Sequence, residues 1–282
     1  MCAQADAELD ELPAWSLAEE EVGRVALASA WPQAVSREWA WGGSSGRGVR
    51  VAILDSGVER DHPQVGEVQR SVAVRVEDDE ATIEEDHKGD LSGHGTACAG
   101  IVRALAPDCE LISVRVLGEQ VTGAGAVLLA GLRWAIDQGF EVISLSLSTR
   151  RREFAGALYQ LADRAYFGRS MLVCSAHNLL VESFPWRFAS VMSVASHERA
   201  DPEAFFYNPQ PPVEFFARGL DVPVAWPGGR PARVTGNSFA TPHMAGMCAR
   251  VLGKHPRLTP FQLKSVLYLI ADNVRAEAAL ER

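Results

Sequence analysis

From residue 49 onward, short apolar runs alternate with helix-like stretches, and few architectures accept that order. Residues 49–54 and 71–76 are β-branched runs, 95–105 has a helical composition, and 111–117 is again strand-like. A Gly/Ala-rich helical stretch at 123–137 precedes apolar runs at 142–147, 171–175 and 191–195, with a helix-like segment at 154–166 between the first two. Helices are expected again at 238–252 and 260–271, the last opened by Thr259-Pro260 as cap and first turn. Apolar strands alternating with helices predict an α/β fold, a mostly parallel central sheet with helices on both faces. Ligands bind such sheets beyond the carboxyl ends of the strands, and Asp55 stands at one of those ends.

The 282 residues, 47% of them hydrophobic, suffice for one sizeable domain with a large core. Residues 1–47 read as an N-terminal extension, poorly patterned apart from Trp15, Trp31, Trp39 and Trp41; residues 48–282 read as the functional domain. A net charge of −9 argues against nucleic acid or an anionic membrane surface as a partner. No apolar run approaches the roughly 18 residues of a membrane span. The acidic start (Asp6, Glu8, Asp10, Glu11) lacks the basic-then-apolar profile of a secretory signal. The five cysteines are odd in number and scattered, without a CxxC pair. They read as mostly buried thiols in a reducing compartment, not as a disulfide framework or zinc site. The expectation is a cytoplasmic protein with no metal or cofactor and an open oligomeric state.

Three segments carry chemistry: Val51-Ala-Ile-Leu-Asp-Ser-Gly57, Ser92-Gly-His-Gly-Thr-Ala-Cys98 and Thr235-Gly-Asn-Ser-Phe-Ala-Thr-Pro-His243. They offer a strand-terminal carboxylate (Asp55), an imidazole between glycines (His94) and an alcohol at a helix start (Ser238). A nucleophile, a base to take its proton and a carboxylate to orient the base are the parts of an acyl-transfer site. A helix start also supplies free N–H groups where an oxyanion forms. His243 is a rival base, but it lies on the serine's own helix and reads as structural.

In this order the segments resemble the signatures of the subtilisin-like serine proteases, a likeness running from about Gly48 to Ala271. Subtilisin is itself a standing example of the triad, so the roles are carried over from it. The resemblance implies that Asp55 orients, His94 acts as general base and then acid, and Ser238 is the nucleophile. It also implies an oxyanion-hole asparagine at Asn178, although His177 replaces the family's usual glycine and Leu179-Leu180 follows where small residues are expected. Peptide substrate would add as a strand along Ser146, Leu147 and Ser148. Relatives have Ser-Leu-Gly-Gly where this chain has Ser146-Leu-Ser-Thr149, so a narrower primary pocket is expected.

Other segments keep more than one reading. Glu77–Asp90 holds eight carboxylates and reads as a solvated loop, a negative rim favouring basic substrate, or a calcium loop. The family's calcium-binding insertion in the histidine-helix region has no counterpart. Arg150-Arg-Arg152 reads as a solvated helix entrance or a site for acidic substrate. Leu12-Pro-Ala-Trp-Ser-Leu17 is a candidate cleft-occluding stretch, though tryptophans packing on the core explain the extension better. The functional expectation is an intracellular serine endopeptidase selective for a peptide precursor or partner protein. The alternatives are a peptide ligase or macrocyclase using the same acyl-enzyme, and a protease-like binding module.

Overall fold

The computed structural model describes residues 16–17, 31–78, 80–120 and 123–275. Val35–Arg282 forms one compact unit, and before it only residues 16–17 and 31–34 are described. The occluding stretch expected at Leu12–Leu17 therefore lies outside the described residues, save for Ser16 and Leu17.

The compact unit opens with α1 (Arg37–Trp41), capped by the Ser36 side chain, which accepts from Trp39 N. Trp41 is buried, with the Arg250 guanidinium over its ring, so the packing expected of the tryptophans is met at this position. The sheet then takes β1 (Arg50–Asp55), β2 (Arg70–Glu77), β3 (Glu80–Glu85), β4 (Glu110–Arg115), β5 (Val142–Leu145), β6 (Met171–Ser175), β7 (Met192–His197), β8 (Phe205–Tyr207) and β9 (Phe215–Arg218). Their order is β3-β2-β4-β1-β5-β6-β7-β9-β8. From β2 to β9 all neighbours are parallel, and antiparallel strands close both edges. A small hairpin, β10 (Val222–Val224) with β11 (Ala232–Val234), stands apart.

Strand alternation splits the core into two layers. Ala52, Leu54, Ile112, Val114, Ile143, Leu145 and Leu172 face α3 (Gly125–Asp137) and α4 (Ala155–Phe167). The opposite face carries α2 (His94–Leu105) and α5 (Asn237–Lys254), with α6 (Pro260–Ile270) packed on α5. The helix α5 is buried along most of its length, and a Cβ on Gly246 would come within 2.8 Å of Leu105 Cβ. Glycine there lets α2 and α5 approach closely. The chain runs from β1 outward to β2 and β4, then crosses to β5, so strand order reverses at β1. That reversal opens a crevice at the carboxyl end of β1, where Asp55 sits.

Two expectations need correction. The strand expected over 142–147 ends at Leu145. The acidic segment is not a solvated loop throughout, because Glu80–Glu85 pairs antiparallel with β2, Ile83 opposite Val74. Glutamates are poor strand formers, but a partner strand and one apolar anchor override that preference. Three of its carboxylates are paired locally: Glu84 with Arg75 at 3.2 Å, Glu85 with Arg60 at 3.7 Å, and buried Asp86 with Arg115 at 2.8 Å.

Candidate active site

β1 ends in Asp55, fully buried, and the chain turns through Ser56-Gly57. α2 begins with His94 directly against that turn. A Cβ on Gly95 would lie 2.0 Å from Gly57 O, so only glycine lets the helix start pack this closely. Gly93, with φ +91°, makes the left-handed entry. His94 Nδ1 lies 2.8 Å and 2.9 Å from the two oxygens of Asp55. An N–H on Nδ1 donates to the carboxylate, which leaves the Nε2 lone pair free to accept a proton. Burial alone would lower the His94 pKa, but the Asp55 charge and hydrogen bond outweigh it, and the imidazolium form is favoured beyond its ordinary range.

Asp90 holds this arrangement from behind. Its Oδ1 accepts from Ser56 Oγ at 2.7 Å, Ser92 N at 3.0 Å and Gly93 N at 2.8 Å, and its Oδ2 from Thr96 N at 2.8 Å. Ser56 in turn donates from its N–H to Asp55 at 2.8 Å and accepts from Gly95 N at 3.1 Å. Neither Ser56 nor Asp90 stood out in the sequence. The signal was the adjacency of Ser56 to Asp55 and the position of Asp90 four residues before the histidine.

Cys98 lies one turn beyond His94, its sulfur 3.8 Å from Nδ1, 3.6 Å from Ser146 Oγ and 3.7 Å from Ser238 O. The i, i+4 spacing on one helix face was the available signal. Burial raises the Cys98 pKa, so the group is a neutral thiol and no competing nucleophile. Asp55, His94 and Cys98 present ligand atoms within 4.8 Å of one another. A soft metal held there would occupy the His94 nitrogen that meets Asp55. His243 is structural: it is buried, its Nδ1 bonds Phe239 O at 2.8 Å, and burial pushes its pKa down to about 4.

Ser238 is half-buried in the first turn of α5, where no intrahelical carbonyl reaches the leading amides. Among the described residues none accepts from its N–H. The next residue, Phe239, packs its ring 5.0 Å from the His94 ring. Among the described residues no hydrogen bond joins Ser238 Oγ to His94, and such bonds are often long until substrate is present. Asn178 is exposed just beyond β6, and its Oδ1 accepts from Asn237 N at 2.9 Å. Its Nδ2 makes no hydrogen bond with any described residue and is free to donate. A Cβ on Gly236 would meet both Ser238 Oγ at 3.3 Å and Asn178 Nδ2 at 3.5 Å, so these two atoms flank one point. His177 occupies the glycine position without disturbing this: its carbonyl accepts from Asn237 Nδ2 at 3.2 Å and its ring from Leu179 N at 2.9 Å.

The expected substrate edge leaves β5 beside this site. Ser146 is buried against Cys98, and Leu147 packs partly on the core. Ser148 Oγ donates to buried Ser183 Oγ at 3.1 Å, which also accepts from Trp186 Nε1 at 2.8 Å. The backbone of Thr149 is consumed by a two-way bridge with Phe184, both bonds 2.9 Å. Free main chain is thus limited to 146–148.

The model of the subtilase family matches residues 46–282. An alkaline protease of Alkalihalobacillus alcalophilus is 32% identical over 276 residues, covering 92% of this chain and 69% of its own length. Subtilisin DY of Bacillus licheniformis is 29% identical over 247 residues, covering 82% and 86%. Among solved structures, a cold adapted subtilisin-like serine proteinase aligns with a TM-score of 0.64 at 25% identity, covering 82% of this chain and 87% of that one. Sphericase aligns at 0.66 with 25% identity, covering 79% and 83%. With sheet, helices and matched length in agreement, this chain belongs to the subtilase family of serine proteases.

Proposed function

We propose that the chain is a serine endopeptidase working through an acyl-enzyme on Ser238, with His94 as base, Asp55 as its orienting carboxylate and Asn178 as an oxyanion donor. The observation that carries this reading is the two-point contact of His94 with Asp55 at 2.8 and 2.9 Å, with the Ser238 helix start packed against the same imidazole through Phe239. Ser238 Oγ attacks the peptide carbonyl while His94 Nε2 takes its proton, and the imidazolium is stabilised by Asp55. The oxyanion meets the Ser238 N–H and Asn178 Nδ2. His94 then returns the proton to the departing amine. In the second half water, deprotonated by His94, releases the acyl group.

Substrate backbone would pair along Ser146, Leu147 and Ser148. The Ser148–Ser183–Trp186 tie and the Thr149–Phe184 bridge stiffen one side of that edge, which favours a selective processing enzyme over a general degradative one. Cys98, Cys109, Cys174 and Cys248 are each free and buried, in keeping with a reducing, cytoplasmic setting. An active-site fluorophosphonate tests the core of the reading. Stoichiometric labelling of the full chain, lost in Ser238→Ala, is expected. Labelling that survives the substitution removes Ser238 from its role, and an unlabelled wild type marks a binding module.

A further inference from the structure

A cleft of about 370 Å³ lies away from the reacting groups, between the second half of α2 and β10. It begins at Gly100, six residues into the helix that His94 opens, and runs to Leu105, roughly 9 to 16 Å along the axis. Its walls are aliphatic: Ile101 and Leu105 on one side, Val222 and Val224 on the other. Arg218, the last residue of β9, brings a guanidinium to this apolar space.

No carboxylate of the described residues stands at ion-pair distance from that cation, although the Asp221 charge acts on it from farther off. The Arg218 side chain makes no hydrogen bond or ion pair with any described residue, and its Nε is buried without a partner. Asp221 follows three residues later, but both its oxygens are held by Arg233, at 2.5 and 2.6 Å. His243, also in the lining, is a neutral imidazole and supplies no charge. A guanidinium carried partly out of water and left unpaired is costly, and its planar fork matches a carboxylate at two points. Apolar walls with one placed polar group are the usual build of a small-ligand site.

We propose that this cleft binds an aliphatic carboxylate, with Arg218 holding the two oxygens and the hydrocarbon lying against Ile101, Leu105, Val222 and Val224. A free short-chain fatty acid and the C-terminal carboxylate of an apolar peptide share this chemistry. The site is independent of the Ser238 reading.

The test titrates hexanoate, hexanamide, and a short apolar peptide with a free or amidated C terminus into the full chain by calorimetry. The peptide arms use Ser238→Ala, so that no peptide is consumed. At least one of the two acids is expected to bind while its amide does not; hexanoate identifies a free acid as the source, the peptide a chain terminus. Arg218→Met should weaken that binding about tenfold or more, as befits a lost charge-assisted pair. The unliganded variant should unfold at no lower temperature than wild type, because it loses an unpaired charge. Silence from both acids, equal binding of acid and amide, undiminished binding by Arg218→Met, or a lower unfolding temperature would each overturn the proposal. Should that variant not fold, the wild-type comparison of acid with amide decides.

Discussion

The two halves of the proposed site are held in contrasting ways. On the base side, the Asp55 and His94 side chains are 1% and 13% exposed, and Ser56 and Asp90 tie the strand end to the helix start. On the acyl side, Asn178 is exposed and Ser238 half-buried, and two bonds to Asn237 locate the loop. The base geometry is thus inseparable from the packing of β1 on α2. The oxyanion geometry depends on one short loop. Damage to the first half should cost rate and stability together, whereas damage to the second should cost rate alone.

The largest effect tests the acyl side. Ser238→Ala should lower kcat by about 10⁶, the size of loss known for the nucleophile of subtilisin itself, with an unchanged unfolding temperature. Next comes Asp55→Asn, expected to cost about 10⁴ in kcat by giving His94 the wrong tautomer. It also tests the electrostatics. His94 must be neutral to take the serine proton, so activity rises with pH through the His94 pKa. With that pKa held above 6.5 by Asp55, the acid limb of kcat/KM should lie above 6.5. In Asp55→Asn the limb should move to lower pH. Stability has the opposite sign: the charged pair contributes fully below 6.5, and its contribution fades as pH climbs through the folded-state value. A limb that stays put in the variant would break the link between Asp55 and His94.

Asn178→Ala probes the weaker-held half directly. Removing one oxyanion donor should lower kcat by about 10² to 10³, the range seen for the corresponding donor in subtilisin. KM and unfolding temperature should not change, because the side chain meets the transition state and little of the core. A large loss of stability would show that the loop matters to the fold and erase the contrast drawn above.

Strands and helices with strong periodicity were legible in the sequence, as were Asp55, His94 and Ser238, because each is punctuated by glycine or a helix start. The antiparallel edge β3 was not, since a run such as Glu80-Ala-Thr-Ile-Glu-Glu85 becomes a strand only when β2 lies beside it. Nor was Asp86 legible as a buried ion-pair partner, because Arg115 is distant in sequence and reaches it across the sheet end. Ser183 and Trp186 stayed hidden for the same reason: their meaning comes from Ser148, which belongs to another strand's end. Local pattern identifies chemistry; the clamps that aim it are made by residues far apart in the chain.

Asp90 carries the smallest expected effect and the sharpest test of the comparison. It touches no reacting atom, so any influence must pass through the position of His94. Asp90→Ala leaves Ser92 N, Gly93 N and Thr96 N without acceptors and frees Ser56 from one anchor. A displacement of the imidazole by an ångström costs about 10²-fold in rate, so a drop of roughly 10- to 100-fold in kcat is expected, with KM little changed. Asp90→Asn keeps one carbonyl oxygen for the three Oδ1 bonds and loses only the Thr96 contact, so it should recover much of that rate. As His94 drifts from Asp55, the acid limb should shift downward in Asp90→Ala and return in Asp90→Asn. Because this carboxylate also joins β1 to α2, the alanine variant should unfold at a lower temperature, unlike Asn178→Ala. A loss of rate with neither a displaced acid limb nor a lowered unfolding temperature would mean that the two halves of the site are held alike.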